Sequence, residues 1–443
     1  MSLINSASSE SSLRKWNFLL LSAGVVIYFF VNFQRSSIPG TIFSELQRDF
    51  SATATQVTNI SAVFMYVYAA TQLLAGLLSD KFGGVRTIFW GGLFFCVGSL
   101  IFPFCSSLTW LLVGRVLVGL GAGTIYLALV KEIDRIYPNT FTSVLGTIIL
   151  LGYCGSILGG LPLSVAVKVV HWRWAFAAVA VMTLIGFLAF AFCSRRIKAT
   201  PVRREKLSLF PLLIVMKSRN TRILLIAGGV GYAVYYLMLA VLGKKLLEDF
   251  CGTSPVVAGG CLSLMVVVSG VMNFLVGVWS TKCGNLRKPF LLWLLGVGVF
   301  AGVMGLIGLQ IKAGTVYFAA ILLLFSAMAG FSAVTNSMMR EYNPPQYTSS
   351  GASVLNFIAY LAVAVCGNIA GVLMDKFAFG KAVKNASGVI IYPASSYTAV
   401  MLLALFIAIA ALVAAFMLPE THGKNLYQEE KRQKYMERRT NGI

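Results

Sequence analysis

Long apolar segments alternate with short polar ones along the whole chain. Twelve segments contain the roughly 20 mostly apolar residues that a helix needs to cross a bilayer. They cover residues 16–46, 56–78, 87–106, 108–130, 142–169, 173–193, 223–247, 256–280, 289–310, 314–338, 349–376 and 394–418. The connections are short, and the longest one contains the basic stretch SRRIKATPVRREK. The pattern predicts an all-α membrane protein with twelve transmembrane helices and no space for a catalytic domain.

The second half of the chain repeats features of the first. GLLSDKFGGVR at 76–86 and GVWSTKCGNLR at 277–287 share Gly, Ser, Lys, Gly and Arg at the same five places, 201 residues apart. GTIFSELQRDFSAT is echoed by GKKLLEDFCGTS, and AGTIYLALVKEIDRIYP by AGFSAVTNSMMREYNPP. Parallel six-helix repeats are one plan of transporter architecture. We therefore expect a six-helix bundle over 1–193, a basic linker over 194–222, a second bundle over 223–418 and a tail over 419–443.

Composition agrees with a membrane protein. Hydrophobic residues make up 58% of the 443 residues and charged residues 12%, whereas soluble domains have about 25% charged residues. The net charge of +21 does not indicate nucleic acid, because the Lys and Arg residues cluster on one predicted side of the membrane, 25 against nine. Positive charge marks the cytoplasmic side. This predicts an integral protein, in a bacterial inner membrane, with both termini in the cytoplasm.

Four motifs resemble those of the major facilitator superfamily, in the right order and on the right helices. They are the segment 76–86 between helices two and three, GRVLVGLGAG at 114–123, HWRWAF at 171–176 and PETHGKN at 419–425. The resemblance covers nearly the whole chain. It implies the major facilitator fold, in which two pseudo-symmetric six-helix bundles alternate access to a central site. It also implies a monomeric transporter of a small molecule, not an enzyme, with no cofactor and with a proton as the coupling ion.

A narrower resemblance concerns the substrate. FQRSSIPGTIFSELQRDF at 33–50 resembles the anion:cation symporter and sugar-phosphate permease branches, which carry an Arg in helix one followed by a Pro. Sugar-phosphate exchangers also place an Arg on helix seven, where this chain has Tyr232, Tyr235 and Tyr236 instead. The single Arg therefore favours a small organic anion or an amino acid. An organophosphate exchanger and a multidrug or metabolite efflux antiporter are the alternatives.

Arg35 is the first candidate for substrate contact, because an Arg inside a bilayer is costly and needs a cavity or a partner. A structural role that joins helix one to its neighbours is the alternative. The other polar residues inside helices could line the same site or form interhelical hydrogen bonds. The predicted substrate-binding residues are Arg35, Asn32, Gln34, Tyr232, Tyr235, Tyr236, Asn273, Asn336 and Asn356.

The repeated turn predicts the conformational machinery. By resemblance, Asp80 pairs across the interface between the bundles, and the second copy has Thr281 at that place. The predicted gating residues are Gly76, Asp80, Lys81, Gly83, Arg86 and Arg115. Lys244 and Lys245 end helix seven beside Glu248 and Asp249. We expect them to reach the membrane interface, as long cationic side chains commonly do, rather than to bind a ligand. The eight Cys residues contain no CxxC pattern, so no metal site is predicted.

Overall fold

A computed structural model describes residues 2–137, 141–197, 210–379, 383–384, 389–429 and 432; within these ranges the side chains of residues 2–13, Leu77, Asp80 and a few others are not described. Twelve helices of the described chain are long and apolar enough to cross a membrane, which confirms the predicted number. These spans are Arg14–Ser37, Ala54–Gly76, Gly84–Phe104, Leu108–Ile136, Thr147–Val169, Trp172–Ser194, Arg219–Asp249, Pro255–Lys282, Lys288–Gln310, Thr315–Glu341, Ser350–Ala378 and Ala394–Phe416.

The chain forms two compact units. Unit 1 comprises the described residues of Met1–Leu207, Pro255–Ser263 and Asn385–Ile390. Unit 2 comprises those of Ser208–Ser254, Leu264–Lys384 and Ile391–Ile443. The expected bundle over 1–193 falls within unit 1 and the expected tail over 419–443 within unit 2, while residues 198–209 of the linker over 194–222 lie outside the described residues.

The helices of the first half of the chain are α1 to α8. Their bounds are α1 Ser2–Ser37, α2 Phe43–Phe50, α3 Ala54–Phe82, α4 Gly84–Phe104, α5 Leu108–Ile136, α6 Phe141–Leu158, α7 Leu161–Val169 and α8 Trp172–Ser194. A 3₁₀ turn, Gly40–Ile42, precedes α2. Thr53 begins α3 with a capping box that it shares with Gln56, which satisfies free backbone N–H groups at that helix start.

The second half contains α9 to α18. They are α9 Phe210–Lys217, α10 Arg219–Leu224, α11 Gly231–Leu237, α12 Gly243–Asp249, α13 Pro255–Lys282, α14 Lys288–Gln310, α15 Thr315–Met328, α16 Phe331–Glu341, α17 Thr348–Ala378 and α18 Ala394–Phe416. Two π-helical segments, Leu225–Val230 and Met238–Leu242, join α10, α11 and α12 into the seventh span. A 3₁₀ turn, Pro345–Tyr347, precedes α17. Strands β1 Val383–Lys384 and β2 Ile390–Ile391 pair in the connection before α18.

The predicted end of the first helix was wrong. The apolar pattern extends it to residue 46, but α1 ends at Ser37 and α2 begins at Phe43. Pro39 explains the break, because the residue before a proline is disfavoured in the α conformation and helices usually end there. Arg35 consequently lies in the last turn of α1 and not in the middle of a span. The partial negative charge at a helix C-terminus favours a cation at this position.

The glycines of GRVLVGLGAG allow α5 to lie against two helices at once. A Cβ atom at Gly121 would collide with the Gly91 carbonyl oxygen of α4, and one at Gly119 would lie 3.0 Å from the Phe64 carbonyl oxygen of α3. Small residues permit such close approach of membrane helices. The motif therefore determines how α3, α4 and α5 pack.

Candidate functional site

Arg35 is oriented by its own helix. Its Nη2 atom donates a 2.6 Å hydrogen bond to Oδ1 of Asn32, one turn earlier. The Asn32 side chain is itself fixed, because its Nδ2 donates to the Tyr28 carbonyl oxygen at 2.9 Å. On α3, the Tyr68 ring centroid lies 6.0 Å from the guanidinium carbon. Asn32 is buried while Arg35 is partly exposed, so a positioned cation is left accessible to an anion.

Tyr68 extends this polar group along α3. Its hydroxyl accepts a 2.8 Å hydrogen bond from Nε2 of Gln72, one turn further on. Arg35, Asn32, Tyr68 and Gln72 form what we call the arginine group. The first two were predicted from the sequence as substrate contacts, whereas Tyr68 was not. The available signal was the spacing of Tyr68 and Gln72, since residues four apart share a helix face.

Gln34 is not part of the arginine group. Its Nε2 donates a 2.7 Å hydrogen bond to Oγ of Ser99 on α4, and both side chains are buried. Successive residues of a helix lie about 100° apart, so Gln34 and Arg35 point in different directions. The geometry gives Gln34 a packing role between α1 and α4, and we do not retain it as a substrate contact.

The three predicted tyrosines of unit 2 form one aromatic cluster with a fourth. Tyr232, Tyr235 and Tyr236 of α11 and Tyr360 of α17 have neighbouring ring centroids 5.7 to 6.5 Å apart. The π-helical segments on both sides of α11 interrupt the regular helix around these rings. Such segments are frequent at functional sites. We call these four residues the tyrosine cluster.

The three predicted asparagines of unit 2 have different environments. Asn273 donates to the Ser269 carbonyl oxygen at 2.9 Å and to that of Ala329 at 3.3 Å, which ties α13 to the break between α15 and α16. Asn336 is exposed and bonds only to its own helix, at the Ser332 carbonyl oxygen. Asn356 lies one turn before Tyr360 on α17 and is half-buried. Asn356 thus shares a helix with the Tyr360 member of the tyrosine cluster.

Both copies of the repeated turn use a glycine in the left-handed region. Gly83 has φ +85° and Gly284 has φ +74°, and such values favour residues without a Cβ atom. Lys81 and Arg86 are exposed around the first copy. A Cβ atom at Gly76 would meet nothing within 4 Å. The Asp80 side chain, on which the predicted pairing depends, lies outside the described residues.

Arg115 is completely buried inside unit 1. Its Nε donates to the Ile60 carbonyl oxygen at 3.4 Å, and its guanidinium carbon lies 4.2 Å from the ring centroid of Phe64. Both contacts are to α3. This geometry supports a structural role that links α5 to α3, rather than a gating role.

Comparison with known proteins identifies the family. The model of the Major Facilitator Superfamily matches residues 25–366. The chain belongs to the Major Facilitator Superfamily. "Putative multidrug resistance protein MdtD" of Salmonella paratyphi B is 23% identical over 418 residues, covering 82% of this chain and 87% of that protein. The proteins of the same name from Salmonella dublin and Salmonella typhi are equally similar.

Solved structures of transporters share the fold of this superfamily member. A bacterial homolog to the human lysosomal transporter Spinster superposes with a TM-score of 0.71 at 15% identity, covering 90% of this chain and 95% of that one. The peptide transporter POT in complex with sulfate has a TM-score of 0.71 at 15% identity, with 91% and 93% covered. The predicted superfamily, fold class and non-enzymatic nature are confirmed.

In this superfamily member the two copies of the turn differ in charge pairing. Arg287, at the place of the exposed Arg86, is buried and its Nη2 lies 3.3 Å from Oε1 of Glu341 on α16. The Thr421 hydroxyl donates to the other oxygen of Glu341 at 2.5 Å. The second copy is thus held by an ion pair that has no counterpart at Arg86 among the described side chains.

The segment PETHGKN at 419–425 also binds the second copy of the turn, through Glu420. The carboxylate of Glu420 accepts the backbone N–H groups of Arg287, Lys288, Thr421 and His422 at 2.8 to 3.1 Å. Partial burial alone would raise the pKa of Glu420, but these four N–H groups outweigh it and hold that pKa below its usual value. The carboxylate therefore stabilises the fold above the pKa of the unfolded chain, and this contribution is lost as the pH falls through the folded pKa.

The Asp-Phe pairs at 49–50 and 249–250, which correspond in the two halves, make similar contacts. In unit 1 the Asp49 carboxylate accepts the Trp172 indole N–H at 2.8 Å and lies 3.0 Å from Nε2 of His171, at the start of α8. In unit 2 the Asp249 carboxylate accepts the Tyr397 hydroxyl at 2.8 Å and the Tyr392 backbone N–H at 2.9 Å, at the start of α18. Asp49, on α2 after the first span, and Asp249, at the end of the seventh span, are each tied to the start of the last span of their repeat.

The expectation for Lys244 and Lys245 was wrong. Both are buried, with 2% and 1% of the residue exposed. Nζ of Lys244 lies 3.3 Å from Oε1 of Glu248, and Nζ of Lys245 lies 2.8 Å from Oδ1 of Asp249. A buried lysine needs an anionic partner, and a carboxylate one turn later supplies it here. These lysines form ion pairs inside the protein and do not extend from its surface.

The asymmetry of the repeated turn gives a testable prediction. We expect Asp80→Asn to impair transport far more than Thr281→Ala, because only the first copy carries a carboxylate there. Thr281 is exposed and its hydroxyl bonds only to its own helix, at the Gly277 carbonyl oxygen. Initial uptake rates of both variants in proteoliposomes, at equal protein content, measure the difference. Equal losses would contradict the assigned asymmetry.

Proposed function

We propose that the chain is a secondary transporter that moves a small organic anion or an amino acid by alternating access, with a proton as the coupling ion. The arginine group carries this proposal. A guanidinium group fixed by Asn32 and left accessible suits a carboxylate, because charge-assisted hydrogen bonds to carboxylates are strong and directional.

The tyrosine cluster supports an amino acid or another zwitterion within this class. Ring faces attract cations, and the hydroxyl groups can donate or accept hydrogen bonds. Tyr236 and Tyr235 are buried and Tyr232 is half-buried. We propose that this cluster contributes to recognition of such a substrate, with Asn356 one turn before Tyr360 on the same helix.

A thermal-shift screen of the purified chain tests the substrate class. Monocarboxylates and amino acids are expected to raise the unfolding midpoint, because a ligand that binds only the folded state stabilises it by about 2.7 kcal/mol at 100 times its Kd. Sugar phosphates serve as the comparison. Stabilisation by sugar phosphates alone would replace the proposal with an organophosphate exchanger.

Uptake of the stabilising compound into proteoliposomes then tests the coupling ion. A pH gradient, acidic outside the liposome for protein inserted with its outer face outward, is expected to drive accumulation above equilibrium. When the pH gradient is collapsed, the compound should equilibrate or exchange across the membrane but should not accumulate. Accumulation that does not depend on the pH gradient would contradict proton coupling but would not contradict the substrate class.

Multidrug efflux is the second candidate, favoured by the name of the Salmonella relatives and by the aromatic character of the tyrosine cluster. Cationic drugs are expected to need an interior acid. The described carboxylates within the spans lie near helix ends instead, at Glu132, Asp134, Glu248, Asp249, Glu341 and Asp375. Growth protection against cationic dyes, without stabilisation by any organic acid, would favour efflux.

A further inference from the structure

A cavity of about 540 Å³ opens in unit 2, where the seventh span begins and the tenth and twelfth spans end. Ten residues line it, among them the cations Lys217 and Arg219, and none of the ten is acidic. The count of basic residues predicts this face to be cytoplasmic. The arginine group belongs to the other unit, and the cavity shares no residue with the tyrosine cluster.

The cavity has a rigid wall and a charged, accessible rim. On the wall, the buried Tyr342 donates its hydroxyl to the Pro419 carbonyl oxygen at 2.7 Å. Asn343 is buried and donates to the Met339 carbonyl oxygen at 2.8 Å and to the Thr221 hydroxyl at 2.9 Å. On the rim, Lys217 and Arg219 are exposed. A small anionic group would therefore meet two exposed cations beside a hydrogen-bonded polar surface.

Helix α9 continues from this rim with an apolar face. Phe210, Leu213 and Met216 are 61%, 57% and 43% exposed, and their spacing of three places them on one side of the helix. Lys217 ends the same helix. An exposed apolar face next to cations is the arrangement of helices that lie in the membrane interface. The apolar face would meet acyl chains where the cations meet head groups.

We propose that this cavity binds the head group of an anionic phospholipid of the cytoplasmic leaflet. The two cations would hold the phosphate, and Asn220 and Tyr427, which also line the cavity, offer hydrogen-bond donors to its oxygens and to the glycerol. Basic pockets on the cytoplasmic side of membrane helices are suited to such lipids. The α9 face would carry the acyl chains, which a soluble phosphorylated ligand would not need.

Native mass spectrometry of the full chain tests the proposal. Phosphatidylglycerol and phosphatidylcholine with identical acyl chains are titrated onto the detergent-purified protein. We expect phosphatidylglycerol to bind more tightly, and the double variant Lys217→Gln and Arg219→Gln to lose at least about tenfold in its affinity, since each cation contributes to the attraction of anionic lipid. Equal affinity of the wild-type protein for both lipids would overturn the proposal.

The double variant Arg195→Gln and Lys282→Gln is the matched control. It removes two exposed cations from the same predicted face but leaves the cavity intact. Its affinity for phosphatidylglycerol should match the wild type, and a loss equal to that of the cavity variant would reduce the effect to general surface charge and overturn the site. Glycerol 1-phosphate is the third arm. If it binds as tightly as the lipid, the ligand is a soluble phosphate ester and the lipid assignment is wrong.

The variant Leu213→Ser tests the contact of α9 with acyl chains without changing any charge. This exposed position is expected to weaken phosphatidylglycerol binding severalfold without changing glycerol 1-phosphate binding, because it removes contact with acyl chains only. The unfolding midpoint without lipid confirms that each variant is folded. Unchanged lipid affinity in Leu213→Ser would contradict the role of α9.

Discussion

Arg35→Ala is expected to raise the KM for uptake strongly while leaving the protein folded. The residue lies in the last turn of α1 and is partly exposed, so truncation removes a charge without creating a buried cavity. A hydrogen bond to a charged group contributes about 1.5–3 kcal/mol. The apparent affinity for an anionic substrate should therefore fall roughly tenfold to a hundredfold, measured as KM for uptake into proteoliposomes and as ligand-induced thermal shift.

Three further variants separate substrate contact from structure. Arg35→Lys keeps the charge but not the planar guanidinium group, so a partial loss of affinity is expected. Asn32→Ala removes the acceptor that orients Arg35 at 2.6 Å and should raise KM while the charge remains. Gln34→Ala is the matched control, because its partner is Ser99 on α4. It should lower the unfolding midpoint and leave KM unchanged.

Wild-type KM and uptake rate in Arg35→Ala would remove Arg35 from the binding site. The same KM shift in Gln34→Ala would show that any disturbance of α1 has this effect, and the arginine group would then be structural. A folded Arg35→Ala protein that still shows the wild-type thermal shift with substrate would have the same consequence.

The fold could be predicted because two features of the sequence specify it directly, namely the apolar segments and the internal repeat. Twelve apolar segments of bilayer length specify twelve spans, and a repeat of 201 residues specifies two related halves. The positions of helix ends and of breaks within helices were harder to predict. The break after Ser37 follows from Pro39, but the π-helical segments around α11 have no comparable marker in the chain.

The partners of polar residues could not be predicted to the same extent. Gln34 and Arg35 are neighbours in sequence and were given one role, although helical geometry directs them to different surroundings. Lys245 resembles an interfacial lysine in sequence, but in the fold it is buried with Asp249, which also accepts the Tyr397 hydroxyl of α18. Such roles depend on contacts between residues 65 positions apart for Gln34 and Ser99 and 148 apart for Asp249 and Tyr397, which a single sequence does not display.

Lys245→Met is expected to cause the largest loss of stability. The Lys245 and Asp249 side chains are 0% and 4% exposed and 2.8 Å apart. Removal of one partner leaves the other charge buried without compensation, which costs about 3–5 kcal/mol. For a unit of about 200 residues this corresponds to a fall of the unfolding midpoint on the order of 10 °C, measurable by thermal unfolding in detergent.

A double variant that removes both charges shows whether Lys245 stabilises the fold through its charge or through packing. Lys245→Met combined with Asp249→Leu removes both charges, and replacement of a buried ion pair by apolar residues is often neutral in stability. The double variant should therefore recover much of the midpoint that Lys245→Met loses, less the contribution of the Tyr397 hydroxyl, which loses its acceptor on Asp249. Lys376→Met, at an exposed position of α17, is the matched control and should leave the midpoint unchanged.

Asp49→Asn in unit 1 gives the comparison between the two aspartate anchors. An asparagine can still accept the Trp172 N–H, and the Asp49 side chain is 15% exposed, so solvent can compensate part of the loss. Its effect should be clearly smaller than that of Lys245→Met. Equal effects would mean that the two anchors carry equal stability despite their different burial, and no recovery in the double variant would mean that Lys245 acts through packing and not through charge.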